Sequence, residues 1–169
     1  MVAVIYGSTT LNTEFVAQRL LRAFGESVAD LHNIRELDPQ LIANRSSLVL
    51  VTSTWGAGDL QDDWEDFLPR LGDIDMSGKT VALVGVGDQE NYPDAFCDSI
   101  RILYDFVVSR GAAVVGETGT EGYKFRFSRA VRDGMFVGLV LDEDSQSRMT
   151  DERILLWVQQ VRPHLLQRA

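Results

Sequence analysis

The fold is decided by an apolar run, Val2-Ala3-Val4-Ile5-Tyr6, and by the octapeptide that follows it, Gly7-Ser8-Thr9-Thr10-Leu11-Asn12-Thr13-Glu14. The apolar run predicts a buried strand, and the octapeptide predicts a loop that opens into a helix. Backbone N–H groups at such a helix start point outward, and the helix dipole favours an anion there. The pattern therefore indicates either a phosphate site or a polar turn in which Asn12 or Thr13 caps the helix.

The donors of this loop are neutral. Hydroxyls stand at Ser8, Thr9, Thr10 and Thr13, and the loop contains no Lys or Arg. A Walker loop is excluded because it ends in Gly-Lys-Ser/Thr. A phosphate bound here would be held by hydroxyls and amides alone.

The composition predicts one domain over residues 1–169, since 45% of its residues are hydrophobic and it is of ordinary domain size. No apolar run approaches the roughly 20 residues of a membrane span. A net charge of −9 argues against nucleic acid and anionic membranes, and it fits either simple solubility or a basic protein partner. The single cysteine, Cys97, excludes an internal disulfide, suits a reducing cytoplasm and is expected to be a buried structural thiol.

Strand-like and helix-like segments alternate along the chain. Strands are predicted at residues 2–6, 27–31, 47–53, 80–86 and 112–116, with helices at residues 12–24, after Pro93 and from Thr150. Such alternation builds an α/β fold with a doubly wound, five-stranded parallel sheet of order 2-1-3-4-5 and helices on both faces. Residues 117–140 do not fit the alternation. They predict a long insertion within the fifth strand, which would resume at Phe136-Val137-Gly138-Leu139-Val140.

Two further loops fall at the same edge of the predicted sheet. Each carries one large aromatic residue, Trp55 after the third strand and Tyr92 after the fourth. Ligands of such sheets bind at the carboxyl ends of the strands, so two aromatic planes here predict a slot for a flat heterocycle. Alternatively, Trp55 would cap the core and Tyr92 would staple the next helix.

Four stretches in this order resemble the long-chain flavodoxins over essentially the whole chain. They are Tyr6–Glu14, Thr54–Gly58, Gly87–Tyr92 and Phe136–Asp144, and residues 117–140 are similar to the insertion that distinguishes the long-chain members. The resemblance implies a flavodoxin-like fold with bound FMN as the cofactor. Its phosphate would lie on the first loop, with Trp55 and Tyr92 stacked on the two faces of the ring. The residues implied to bind the cofactor are Ser8, Thr9, Thr10, Leu11, Asn12, Thr13, Thr54, Trp55, Gly56, Ala57, Gly58, Gly87, Asp88, Gln89, Tyr92 and Asp144.

One position departs from the family pattern. Leu11 stands where the phosphate loop of the family usually has glycine. If that position requires a positive φ, a leucine there would be strained, because its Cβ disfavours the left-handed region. The expected consequence is a locally reshaped loop or weaker phosphate binding.

The function that the resemblance implies is a low-potential one-electron carrier rather than an enzyme, with no catalytic residue and no metal. Acidic residues surround the predicted site: five lie within residues 54–66 and four within residues 86–98, with no basic residue in either range. Negative charge there opposes full reduction of the cofactor and favours basic-surfaced redox partners. These would be an NADPH-dependent flavodoxin/ferredoxin reductase and electron acceptors, and the protein is expected to be a cytoplasmic monomer.

Three alternatives stay open on the sequence. The first is an FMN-dependent NAD(P)H quinone or flavin reductase of the same fold, which would need a nicotinamide site over the ring that Tyr92 covers. The second is a receiver-type signalling domain, which would need clustered acids after the first strand. The third is an interaction module without a cofactor.

Overall fold

A parallel sheet forms the centre of the molecule. The computed structural model describes residues 1–167. The strands are β1 (Val2–Tyr6), β2 (Ala29–Asn33), β3 (Ser47–Trp55), the two-residue β4 (Asp59–Leu60), β5 (Thr80–Val86), β6 (Ala113–Val115) and β10 (Leu139–Leu141). β2, β1, β3 and β5 lie side by side in parallel, β6 and β10 both pair with β5, and β4 pairs antiparallel with β3.

In the described part of the chain, five α-helices cover the two faces of the sheet. They are α1 (Leu11–Phe24), α2 (Pro39–Asn44), α3 (Asp62–Phe67), α4 (Ser99–Ser109) and α5 (Thr150–Leu165), with 3₁₀ turns at Ile34–Glu36, Leu68–Leu71 and Ser147–Met149. Alternate residues of β1 point to opposite faces, so Val4 packs with α1 and α5 while Ile5 packs with α3 and α4. Within residues 1–167, no helix has the length and apolarity needed to cross a membrane.

The fifth strand is interrupted, as the sequence predicts. β6 pairs with residues 80–82 of β5 and β10 with residues 84–86, so the two short strands occupy successive halves of one edge. Between them lie β7 (Thr118–Gly119), β8 (Val131–Arg132) and β9 (Met135–Phe136), which form a small antiparallel sheet. The predicted fold class and the order 2-1-3-4-5 are therefore confirmed.

An aromatic cluster attaches the insertion to the body of the protein. The rings of Tyr123, Phe125 and Phe136 pack around Phe96, with ring centroids 5.2–6.2 Å apart. Phe96 precedes α4, so the insertion rests on the loop that connects β5 to that helix. The insertion consequently lies beside one of the loops predicted to bind the cofactor.

Three predicted boundaries are wrong by a few residues, and the first is the end of the third strand, which continues to Trp55 rather than stopping at residue 53. The second strand runs over Ala29–Asn33 rather than 27–31, and the fifth resumes at Leu139 rather than at Phe136, which belongs to β9. β2 is an edge strand in which only Ala29 is fully buried, so its sequence lacks the continuous apolar run that marks a central strand. Phe136 is buried against the aromatic cluster instead of the sheet.

Candidate functional site

The loop after β1 ends at Thr10, which is the N-cap of α1. Asn12 and Thr13 already lie within the helix, so the expectation that one of them caps it is wrong. The Thr10 hydroxyl makes no capping hydrogen bond, and the first amides of a helix have no partner within it. The hydroxyl and the amides of this turn are therefore free to bind an anion. The Ser8 hydroxyl differs, because it donates to the Thr10 carbonyl.

The leucine at position 11 causes no backbone strain. It is the first residue of α1, and within residues 1–167 the non-glycine residues with a positive φ are Cys97 and Asp133. Its side chain is 63% exposed. The condition on which the expected strain depended is thus not met, and the loop accepts a leucine at this position.

The last residue of β3, Trp55, presents its indole at the same edge. The Trp55 Nε1–H donates to Ser53 Oγ at 2.8 Å, which fixes the orientation of the ring. The adjacent Thr54 Oγ1 accepts from the Ser99 amide at 3.0 Å and so anchors the strand end to the start of α4. Gly56 and Gly58 have φ values of +53° and +115°, which turn the chain back into β4.

The turn after β5 presents Tyr92. Asp88 organises it, since Asp88 Oδ1 accepts from the amides of Glu90 and Asn91 at 3.2 and 3.0 Å, and the Asp88 carbonyl accepts from the Tyr92 amide at 2.9 Å. A Cβ on Gly87 would lie 2.7 Å from Cys97 Sγ. A glycine is therefore required where this turn passes the thiol.

Gln89 points away from the cleft between these turns. It is 2% exposed, its Nε2–H donates to Asp142 Oδ2 at 2.9 Å, and its Oε1 accepts from the Lys124 amide. Burial alone would raise the pKa of Asp142, but hydrogen bonds from Ser145 and Gln89 outweigh burial and hold that pKa below its ordinary value. The Gln89 side chain thus connects the Tyr92 turn to Asp142 and to the insertion.

The three turns enclose a cleft of about 260 Å³. Its walls include Trp55 and Tyr92, which are 38% and 53% exposed, so both aromatic residues are accessible to solvent. Ten of the sixteen predicted residues line it: Thr10, Asn12, Thr13, Thr54, Trp55, Gly56, Gly87, Asp88, Tyr92 and Asp144. The other six, which are not among its lining residues, are Ser8, Thr9, Leu11, Ala57, Gly58 and Gln89.

Four residues of the cleft wall were not predicted: Ser53, Val86, Ala95 and Cys97. Val86 and Ser53 precede the predicted loops by one residue, so the rule that ligands bind at strand ends could have found them. Cys97 is buried, as expected from the sequence, and has a φ of +55°. Burial, followed by the nearby charges of Asp142 and Asp98, raises the pKa of this thiol well above its ordinary value, so the thiol is neutral.

The charged residues of the cleft wall are both acidic. They are Asp88 and Asp144, and no Lys or Arg occurs among the described residues that line the cleft. Burial, and then the charges of Asp88, Asp142 and Glu143, raise the pKa of Asp144. The neighbouring Arg19 is engaged by Glu143 at 3.1 Å. An anion in this cleft is therefore held by neutral donors and faces two carboxylates.

A larger hollow of about 430 Å³ lies beside α4. It contains none of the predicted residues and is lined mainly by apolar side chains, among them Leu60, Leu68, Ile102 and Phe106. It lacks the convergent hydroxyls and amides of the smaller cleft. The smaller cleft, which Trp55 and Tyr92 both line, is therefore the candidate functional site.

Known proteins resemble this chain over nearly its full length. The family model described as flavodoxin matches residues 4–157. The flavodoxin of Klebsiella pneumoniae is 42% identical over 166 residues, which cover 98% of this chain and 94% of that protein. The flavodoxin of Nostoc sp. (strain PCC 7120) is 42% identical over 161 residues and 95% of each chain.

Solved structures agree with the fold. The crystal structure of Fusobacterium nucleatum flavodoxin bound to flavin mononucleotide superposes with a TM-score of 0.92 at 33% identity, covering 97% of this chain and 98% of that one. The oxidised flavodoxin 2 of Bacillus cereus superposes with a TM-score of 0.73 at 23% identity, over 96% and 98% of the two chains. The second similarity concerns the fold alone.

Proposed function

The chain belongs to the flavodoxin family, and on that premise we propose that it carries single electrons on a bound FMN. The observation that carries the proposal is that Trp55 and Tyr92 both line one cleft, which the start of α1 also lines. When bound, FMN accepts and releases electrons one at a time and so supplies the redox chemistry. Flavodoxins are electron-transfer proteins rather than enzymes, and residues 1–169 act as one FMN-binding domain.

The cleft fits this cofactor in three respects. Two exposed aromatic side chains suit a flat ring, the free amides of the first turn of α1 suit a phosphate, and hydroxyls at Thr10 and Thr13 add donors. Phosphate binding without a cation needs several neutral donors at once, and this loop supplies them. Of the remaining predicted residues, Thr9 is proposed to stay a phosphate donor at the edge of the loop, and Ser8, Leu11, Ala57, Gly58 and Gln89 are proposed to shape the loops that surround the cofactor.

The residues of the chain have separate tasks at this site. Trp55 and Tyr92 bind the ring and exclude water from its faces, and the Ser53 hydroxyl fixes the indole through the bond from Nε1–H. Gly87 lets the backbone approach Cys97 closely, which brings the Tyr92 turn against the cleft floor. Asp142 holds that turn in place through the amide and the side chain of Gln89.

The acidic wall makes the protein a low-potential carrier. A negative charge on the flavin and a second negative charge about 7 Å away repel each other by roughly 2 kcal/mol at an effective dielectric constant near 20. Solvent screening reduces the contribution of an exposed carboxylate such as Asp144, and the partly buried Asp88 is screened less. The described residues of the cleft wall include no cation. Nothing in the described wall therefore offsets the negative charge that full reduction adds to the cofactor.

The partners are redox proteins, of which the family relationship implies a reductase as donor. We propose that they present basic surfaces, because exposed acids lie in the cleft wall and in the segments that follow Trp55 and Gly87 in the chain: Asp144, Asp59, Asp62, Glu65 and Glu90. Asp98, one of the four acids within residues 86–98, is buried, as is Asp142, and both belong to the interior. We further propose that the protein is a monomer and acts in the cytoplasm.

Electron transfer from a reductase should slow as salt is added. The exposed acids steer a basic partner toward the cleft, and salt screens that attraction. Raising the ionic strength from about 10 to about 300 mM is expected to lower the bimolecular rate constant roughly tenfold, as measured by stopped flow with an NADPH-dependent flavodoxin/ferredoxin reductase. The control is reduction by a small uncharged reductant, whose rate should be nearly constant. A reductase rate that is flat or rises with salt contradicts acidic docking.

The carrier role is tested by measuring electron transfer between redox proteins separately from NAD(P)H oxidation by the protein alone. The FMN-loaded protein should accept electrons from the reductase and pass them to a second redox protein, and it should not oxidise NAD(P)H when the reductase is omitted. Steady NAD(P)H oxidation by the protein alone would instead support the FMN-dependent NAD(P)H quinone or flavin reductase. No observation favours that alternative: the matching proteins described above are flavodoxins, and the described wall of the cleft offers no cation for a nicotinamide phosphate.

A further inference from the structure

A buried glutamine, Gln61, connects two of the three loops of the cleft. It follows β4 and is 1% exposed. Its Nε2–H group donates to Thr9 Oγ1 at 3.2 Å and to Asp63 Oδ2 at 3.1 Å, and its Oε1 accepts from the Trp64 amide at 3.3 Å. One side chain therefore joins the loop after β1 to the segment that continues from the Trp55 turn.

The packing around Gln61 leaves it little freedom. A Cβ on Gly7 would lie 2.2 Å from Gln61 Oε1 and 2.7 Å from Trp64 Cδ1, so the glutamine fits only because residue 7 has no side chain. Trp64 is itself held by the bond from its Nε1–H to the Val51 carbonyl at 2.9 Å. The amide of Gln61 is thus held in one place against Thr9.

The direction of the bond to Thr9 determines what the threonine can offer. A hydroxyl has one donor and two acceptor sites. Because Gln61 donates to Thr9 Oγ1, it fills an acceptor site and leaves the hydroxyl proton free to point elsewhere. Ser8 shows the opposite case, since its hydroxyl donates to the Thr10 carbonyl. Thr9 is exposed on the loop proposed to bind the phosphate, so its hydroxyl proton is available to donate to an anion.

We propose that Gln61 is a positioning residue for recognition of the FMN phosphate, because it orients the Thr9 hydroxyl as a donor toward that phosphate. The inference rests on the proposed function and adds a residue to it. Gln61 does not line the cleft. It acts through Thr9, so its effect is confined to ligands that carry the phosphate.

The test compares FMN with riboflavin, which lacks the phosphate, as ligands of the flavin-free protein. Gln61→Met removes the donor and is expected to weaken FMN binding about 5- to 10-fold, the value of one hydrogen bond, while riboflavin binding changes by less than about twofold. Gln61→Glu keeps the acceptor for the Trp64 amide but replaces the donor with a carboxylate. It should weaken FMN binding more than about 30-fold, because it also adds a charge near the phosphate.

A double-mutant cycle with Thr9→Val shows whether Gln61 acts through Thr9. Thr9→Val alone should weaken FMN binding without changing riboflavin binding, and Gln61→Met should then add less than about a twofold further loss. Gln160→Met is the matched control, since it removes a glutamine that donates to the Glu117 carbonyl outside the cleft, and it should leave both affinities unchanged. Urea unfolding of each variant establishes that it is folded.

Several results would overturn the inference. They are an equal loss of FMN and riboflavin affinity in Gln61→Met, no loss of either, full additivity in the cycle, or unchanged FMN binding in Thr9→Val. The last of these applies even if the Gln61 variants fail to fold, because Thr9 is exposed and the Gln61 amide keeps its bond to Asp63 when the Thr9 hydroxyl is removed. Failure of the proposed function looks different, since the unmodified protein would then bind neither FMN nor riboflavin.

Discussion

Trp55→Ala and Tyr92→Ala are each expected to weaken FMN binding by the flavin-free protein about 10- to 100-fold. Stacking of a flat ring on an aromatic side chain contributes roughly 1–3 kcal/mol when measured by truncation to alanine. The two side chains face one cleft, and each is partly exposed, so truncation removes a ligand contact without opening a cavity in the core. The dissociation constants are measured by titrating each variant with FMN and following flavin fluorescence.

Phe127→Ala is the matched control for the two aromatic variants. Phe127 is also a large exposed aromatic residue, at 57% exposure, but it does not line the cleft. Its replacement should leave FMN affinity within about twofold of the unmodified protein. The stacking arrangement is wrong if neither cleft variant loses affinity, or if Phe127→Ala loses as much as they do.

Gly138→Ala should produce the largest loss of stability, about 3–5 kcal/mol in the free energy of unfolding. A Cβ at this position would lie 2.2 Å from the carbonyl oxygen and 2.8 Å from the carbonyl carbon of Leu83. Both are backbone atoms of β5, which is paired on both sides and cannot move away. Since domains are stable by roughly 5–15 kcal/mol in total, much of the stability of the protein would be lost.

Gly119→Ala supplies the comparison for this loss. A Cβ on Gly119 would meet no atom within 4 Å, and its φ lies outside the left-handed region. We expect a change of less than about 1 kcal/mol in urea unfolding of the flavin-free protein, with an unchanged denaturant slope. Similar midpoints for Gly138→Ala and the unmodified protein would show that β10 does not approach β5 as closely as described.

The central strands could be predicted because buried strands have continuous apolar sequences. The interruption of the fifth strand could be predicted because its residues break the alternation of strands and helices. Residues 47–53 and 80–86 are apolar runs covered by helices on both faces, and the glycines and aromatics after Val115 mark the insertion. The edge strand β2 alternates polar and apolar residues, so its position was misjudged by two residues. The six-residue helices α2 and α3 are too short to show a helical period.

Residues near the site could be predicted when they belong to one of the three loops. They could not be predicted when their roles depend on contacts with residues distant in the chain. Trp55 and Tyr92 could be predicted because the first ends, and the second follows, a central strand of a parallel sheet. The cleft contact of Cys97 depends on a positive φ that the sequence does not signal, and the role of Gln61 depends on its approach to Gly7. Gln89 was predicted to contact the ring, but its amide is used by Asp142 and Lys124, which are distant in the chain.

The most direct test of the account is a crystal structure of the protein saturated with FMN. We expect one flavin per chain, its ring between the indole of Trp55 and the phenol of Tyr92, and its phosphate on the loop of residues 8–13 without contact to any Lys or Arg. A ring bound outside the slot between these two side chains, or a phosphate held by a basic residue away from that loop, would contradict it.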